Sequence, residues 1–137
     1  MVKIKLSTQS KKKDVITFLE ELKMILQDKN FNIDTDLTLI ISKKNNGKVQ
    51  YSTSYTLLNL DYDIYDIAER LKELTVEEYS ETLVDKDDVN PPLLFVFGKK
   101  INNEQIYIKL KIKGEEKRHV LCMSFHYAEH VMVFPYA

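Results

Sequence analysis

Polar and apolar positions alternate most regularly toward the C-terminal end of the chain. In Ile106-Tyr107-Ile108-Lys109-Leu110-Lys111-Ile112-Lys113, branched aliphatics hold one parity without interruption, and Tyr107, Lys109, Lys111 and Lys113 hold the other. Successive side chains of a strand point to opposite faces. The pattern therefore predicts a half-buried β-strand with the aliphatics inward and a tyrosine and a row of ammonium groups outward, where a polyanion would suit them. Val120 to His126 is apolar at Leu121, Met123 and Phe125, with Cys122, Ser124 and His126 on the opposite parity. Paired antiparallel through the loop Gly114-Glu115-Glu116-Lys117, it brings His126 to the face of Tyr107 and Lys109. Leu93-Leu94-Phe95-Val96-Phe97 is apolar at both parities, as in a strand covered on both faces. The link Ile101-Asn102-Asn103-Glu104 has hairpin chemistry, because Asn tolerates the positive φ of tight turns. A three-stranded antiparallel meander is expected.

Upstream, the period changes. Val2 to Leu6 reads as a short strand before a lysine-rich link, and Lys11 to Lys13 as a solvated helix start. From Asp14, the apolar residues Val15, Phe18, Leu19, Leu22, Ile25 and Leu26 recur at three and four, predicting an amphipathic helix to about Lys29. Leu37 to Ser42 is a strand candidate, Lys43 to Lys48 a turn, and Val49 to Tyr55 the returning hairpin partner. Beyond Thr56 the spacing is helical again. Asp63 is placed to cap a helix carrying Ile64, Ile67, Ala68, Leu71 and Leu74, and Thr75 with Glu78 has the form of a capping box. The acidic block Glu81 to Asn90 breaks at Pro91-Pro92, whose missing amide protons forbid a helix. Helices first and a meander last predict an α+β fold, with N-terminal helices packed on a mainly antiparallel sheet, in one domain over 1–137.

Composition narrows the class. At 137 residues and 44% hydrophobic content the chain can bury one core, and three glycines and three prolines argue against a collagenous or low-complexity chain. The single Cys122 excludes an internal disulfide and suits a reducing cytoplasm. No apolar stretch approaches the ~18 residues of a membrane span, and the first ten residues lack a signal peptide's apolar block, so a cytoplasmic protein is expected. The net charge of −1 hides a polarity. Asp61 to Asn90 holds eleven acidic residues against three basic, and Lys99 to Arg118 holds seven basic against three acidic. The acidic stretch reads as a solvated face; the basic one makes nucleic acid a candidate partner.

Several chemistries drop out. There is no phosphate-cradling glycine loop, no cysteine pair for zinc and no Gly-x-Ser-x-Gly elbow. His126, Glu129 and His130 would share a face of a helix, but the preceding strand argues against one, so no metal is expected. They read instead as a strand-end histidine and a loop returning the apolar tail Val131 to Tyr136 to the body. Ser124 beside His126 lacks an identifiable orienting acid. Metal-free RNA cleavage asks for less: one group to take the 2′-hydroxyl proton, one to protonate the departing 5′-oxygen, and cations on the phosphate. A histidine, a tyrosine and lysines on one sheet face could supply these. The same residues also read structurally, His126 as a strand terminus, Tyr107 as one of a cross-strand pair and Lys109 to Lys113 as a guarded edge.

Glu78-Tyr79, Leu94-Phe95-Val96-Phe97-Gly98-Lys99, Ile106-Tyr107-Ile108-Lys109-Leu110 and Cys122-Met123-Ser124-Phe125-His126 together resemble the MqsR family of type II toxin–antitoxin toxins, in the wider RelE-like group. The likeness spans the second half of the chain, 57–137, and leaves 1–56 as an N-terminal extension. It implies a RelE/MqsR-like domain, cofactor-free and sequence-biased mRNA cleavage, and neutralisation by a cognate antitoxin encoded alongside. The family's strand tyrosine matches Tyr107, and the basic residue after its Ser-Phe pair matches His126. Ser80 stands where the family has a lysine and Leu94 where it has a glutamine, which puts Lys99, Lys109 and Lys111 forward as replacement cations. The expected site is His126 as general acid or base, Tyr107 orienting or sharing that transfer, and Lys109 with Lys99 on the scissile phosphate. Lys100, Lys111 and Ser124 are expected to bind RNA. The alternative is a non-catalytic RNA- or protein-binding module on the same scaffold, of a phage or mobile element, which the near-neutral charge and the N-terminal extension favour.

Overall fold

The computed structural model describes residues 7–41 and 48–137. The strand expected over Val2 to Leu6 and most of the turn expected over Lys43 to Lys48 lie outside the described residues. The first helix, α1 (Lys12–Gln27), turns Val15, Leu19, Leu22 and Leu26 inward, one apolar stripe at helical spacing. A single turn, α2 (Ile33–Asp36), is capped by the Asn32 side chain and leads into a three-residue strand, Leu37–Leu39. Val49 to Tyr55 is not the expected strand. It forms a 3₁₀ turn, Val49–Tyr51, and then the start of α3 (Thr53–Leu60). The Ser52 hydroxyl accepts the Tyr55 amide at 3.1 Å, so a serine satisfies a helix-start donor that a strand would have left to a neighbour. Asp61 ends α3 in the left-handed region at φ 57°. Asp63 then caps α4 (Ile64–Lys72) in a reciprocal box with Asp66, and Thr75 makes a second box with Glu78 at the 3₁₀ turn Val76–Glu78.

Among the described residues the strands are β1 (Ser7–Thr8), β2 (Leu37–Leu39), β3 (Tyr79–Val84), β4 (Leu93–Ile101), β5 (Glu104–Lys113) and β6 (His119–Tyr127). They form one sheet in the order β1-β3-β4-β5-β6-β2. Only β2 runs parallel to its neighbour, pairing with β6 rather than with a hairpin partner. The β4–β5 turn places Asn102 and Asn103 at φ 53° and 66°, as two consecutive asparagines permit. The fold is α+β, and no helix of the described residues is long and apolar enough to cross a membrane.

α1 and α4 cover one face of this sheet. Val15, Leu19, Leu22, Ile67 and Leu71 meet Phe97, Ile106, Ile108, Leu110, Ile112 and Phe125 there in a single apolar core. Cutting a fully buried member such as Leu110 to alanine removes about 2–5 kcal/mol. Leu94 and Val96 are buried outside that core cluster, so β4 is covered on both sides.

Two irregularities set what the other face presents. In β6, Lys109 faces Ser124 while the adjacent Leu110 faces Cys122, which leaves Met123 as an extra residue. Such a bulge reverses parity, so Cys122 is buried opposite Leu110 and Leu121 points outward opposite Lys111, contrary to the uninterrupted alternation expected. In β3, Ser80 is the extra residue between Tyr79, opposite Phe97, and Glu81, opposite Val96. That interruption hid the strand within a stretch read as an acidic block.

Candidate functional site

Directly opposed residues of neighbouring strands share a face, so pairing alone lays two rows across the side of the sheet away from the helices. One runs Glu81, Val96, Lys109, Ser124; the next runs Gly98, Tyr107, His126. The His126 and Tyr107 rings stack at 5.1 Å between centroids and 14° between planes. The C-terminal tail then crosses these rows. The Ala128 amide bonds the Gln105 carbonyl at 2.9 Å, and the Ser80 hydroxyl donates to the Val133 carbonyl at 2.8 Å. The Tyr136 hydroxyl donates to the Ser10 carbonyl at 2.6 Å while its ring stacks on Tyr79. Phe134 lies so close to Gly98 that a β-carbon there would meet its ring at 2.7 Å. Glycine at 98 is therefore what lets the tail lie down beside Tyr107.

Sheet and tail together enclose a cavity of about 430 Å³ lined by Glu81, Tyr107, Lys109, Ser124 and His126 from the strands, and by Glu129 and His130 from the tail. The His126 Nδ1 lies 3.0 Å from the Tyr127 carbonyl oxygen. A carbonyl only accepts, so Nδ1 carries the proton and the neutral ring has its lone pair at Nε2. Burial, with the Glu81 charge adding to it, pushes the Tyr107 phenol up to about 12. At neutral pH it is a hydrogen-bond donor. The hydrogen bond from Lys48 at 3.0 Å holds the Glu129 carboxyl below its ordinary value, as a carboxylate. Burial pushes the Cys122 thiol up to about 12, out of reach of nucleophilic chemistry. Among the described residues no three His, Cys, Asp or Glu side chains gather as a metal-ligand set.

The expected site is thus brought together in part. His126, Tyr107, Lys109 and Ser124 line one cavity. Lys99 does not join them. It pairs with Ile106 in register and so lies on the helix side, where its ammonium meets the carboxylates of Glu78 at 3.3 Å and Glu73 at 3.8 Å. Lys100 is exposed at the β4–β5 hairpin end, outside the cavity. Lys111 is on the expected face but only 1% exposed. Its three protons reach Asp85 Oδ2 at 2.6 Å and the carbonyls of Asp88 and Pro91, both at 3.1 Å. Burial raises the Asp85 carboxyl, but Lys111 and the Asp87 and Asp88 amides outweigh it and leave the group lowered. Lys113 pairs with Asp88. The acidic stretch is therefore no bland solvated face: it folds back to neutralise much of the basic one.

Sequence reasoning missed Glu81, hidden by the β3 bulge, and met Ser80 only as a departure from the family's lysine. It saw Glu129 and His130 only as a metal option, since their approach depends on the path of the tail. A larger cavity of about 680 Å³ lies between the end of α1 and the β5–β6 loop, lined by Met24, Phe31, Asp36 and Lys117 among others. Both of its basic side chains are paired, Lys117 with Asp36 and Arg118 with Glu21, the rest of its charge is acidic, and no histidine or tyrosine lines it. The smaller cavity is the better candidate. No family model, curated protein or solved structure matches the chain.

Proposed function

We propose that the chain is a toxin-like, metal-independent endoribonuclease that cleaves mRNA and is neutralised by a cognate antitoxin. The observation that carries the reading is the stacked Tyr107–His126 pair beside Lys109 and Ser124 in one cavity. In the reaction, His126 Nε2 removes the 2′-hydroxyl proton as that oxygen attacks the adjacent phosphorus. The Lys109 ammonium steadies the charge on the phosphoryl oxygens. The departing 5′-oxygen leaves as a ribose alkoxide, a stronger base than a phenolate even with Tyr107 pushed up to about 12. The Tyr107 hydroxyl can therefore hand it a proton downhill. Products are a 2′,3′-cyclic phosphate and a 5′-hydroxyl, and proton return from His126 to Tyr107, directly or through water, resets the site. Lys99 and Lys111 take no part, because Lys99 lies on the helix side of the sheet and Lys111 is buried beside Asp85, and neither lines the cavity.

Expression in a bacterial host beside His126→Ala tests this. Growth arrest with new internal mRNA ends bearing 5′-hydroxyls, both lost in a folded His126→Ala, is expected. Full activity in that variant would remove the assignment. The internal neutralisation of Lys99, Lys111 and Lys113 favours a second reading, a non-catalytic RNA- or protein-binding module. Soluble protein that binds RNA in a salt-dependent way and makes no new ends would select it.

A further inference from the structure

The outer edge of β6 is covered by two different elements. β2 pairs with Val120 to Cys122 and stops, and the Ile40 amide adds one more bond, to the Cys122 carbonyl at 2.9 Å. Further along, α3 lies against β6 in place of a strand. The Tyr127 amide donates to the Thr56 hydroxyl at 3.0 Å, and that hydroxyl donates to the Ser52 carbonyl, also at 3.0 Å. Thr56 is fully buried. Its hydroxyl is thus held at both ends, satisfying a strand amide on one side and a helix carbonyl on the other. The Tyr127 side chain is tied to the same helix, its hydroxyl donating to Asn59 Oδ1 at 2.5 Å and its ring edge-on to Tyr55.

Tyr127 is also the residue whose carbonyl receives the His126 Nδ1 proton, and the next amide, Ala128, is anchored to Gln105. A free imidazole side chain prefers its proton on Nε2. The Tyr127 carbonyl reverses that preference only while it stays aimed at Nδ1. We propose that Thr56 is a positioning residue for His126: by pinning the Tyr127 backbone it holds the imidazole as the Nδ1–H form, with Nε2 open to the cavity. Asn59 assists through the Tyr127 hydroxyl. α3 thereby gives the segment before the meander a role at the site. The consequence for cleavage rests on the ribonuclease reading above; the consequence for the imidazole does not.

The test uses the full chain labelled with ¹⁵N-histidine, with long-range proton–nitrogen spectra recorded where the imidazole is neutral. The His126 signals are identified by their loss in His126→Gln. The wild type should show the Nδ1–H form. Thr56→Val, which keeps shape and removes the hydroxyl, should move His126 toward a mixture with the Nε2–H form. It should also lower the cleavage rate constant about ten- to a hundredfold with KM less changed. Thr56→Ser should restore both. An unchanged His126 spectrum in Thr56→Val, or no rescue by serine, overturns the proposal. If Thr56→Val does not fold, Asn59→Leu decides: it changes an exposed residue, and a smaller movement in the same direction is expected, while no movement overturns the proposal. A Thr56-dependent tautomer in a chain that cleaves no RNA would end the ribonuclease reading and leave this inference standing.

Discussion

Lys109 and Lys111 stand two residues apart on one strand, point to the same sheet face, and face opposite fates. Lys111 lies under the 85–92 loop, where Asp85 and two carbonyls take all its protons. Lys109 lies in a row with Glu81 and Ser124 and lines a cavity shared with His126. The difference comes from what crosses the face at each point. An acidic loop closes one end of the sheet as structure; a mainly apolar tail, which also carries Glu129 and His130, spans the other and leaves room beneath. Side-chain identity is thus a poor guide to role on this face.

The sharpest break in the comparison is at the open end. His126→Ala should cost about 10²–10⁴-fold in cleavage with little change in unfolding midpoint, measured on a defined RNA and by thermal melting of the same samples. Lys109→Met should lose about a hundredfold in cleavage and about 1 kcal/mol or less in stability. The closed end should respond the other way. Asp85→Ala takes from the buried Lys111 ammonium its nearer carboxylate, leaving Asp88 at 3.4 Å, and should remove about 3 kcal/mol in urea unfolding, with activity per folded molecule unchanged. Pairing Asp85→Leu with Lys111→Met should recover part of that loss, because no buried charge is left uncompensated, while the Asp88 and Pro91 carbonyls and the Asp87 and Asp88 amides lose their partners.

Acid should expose the same contrast. The hydrogen bond from Lys113 is the largest cause holding the Asp88 carboxyl down to about 2, against an ordinary 3.8, and Asp85 is lowered as well. A depressed carboxyl stabilises the fold above its unfolded value, and that stability is lost as pH falls from about 3.8 toward 2. Asp88→Asn should therefore flatten the acid limb of the stability curve, followed by circular dichroism, while His126→Ala leaves that limb unchanged. The smallest effect belongs to the tail. Tyr136→Phe removes two hydrogen bonds, the one donated to the Ser10 carbonyl and the one accepted from Gln9 Nε2, and should cost about 1–2 kcal/mol; faster amide exchange confined to 128–137 would be its signature.

Local chemistry written in consecutive residues is legible in the amino-acid order itself. The inward aliphatics of β5, the Asn102-Asn103 turn, the Asp63 and Thr75 caps, and the covered Leu94 to Phe97, though not the exposed Leu93, each depend on neighbours in sequence, where periodicity and turn propensity act directly. The meeting of Tyr107 with His126 is within reach too, because an antiparallel pair fixes it once the strands are known. What lies beyond the sequence is decided at a distance. The Met123 and Ser80 bulges shift register by one residue for the sake of packing across the sheet. Capture of Lys99 and Lys111 by acids more than twenty residues earlier depends on how loops fold back, as does the clasp of Thr56 on Tyr127. A row of lysines specifies a strand face; only the tertiary structure decides which of them is buried against an acidic loop and which lines a cavity.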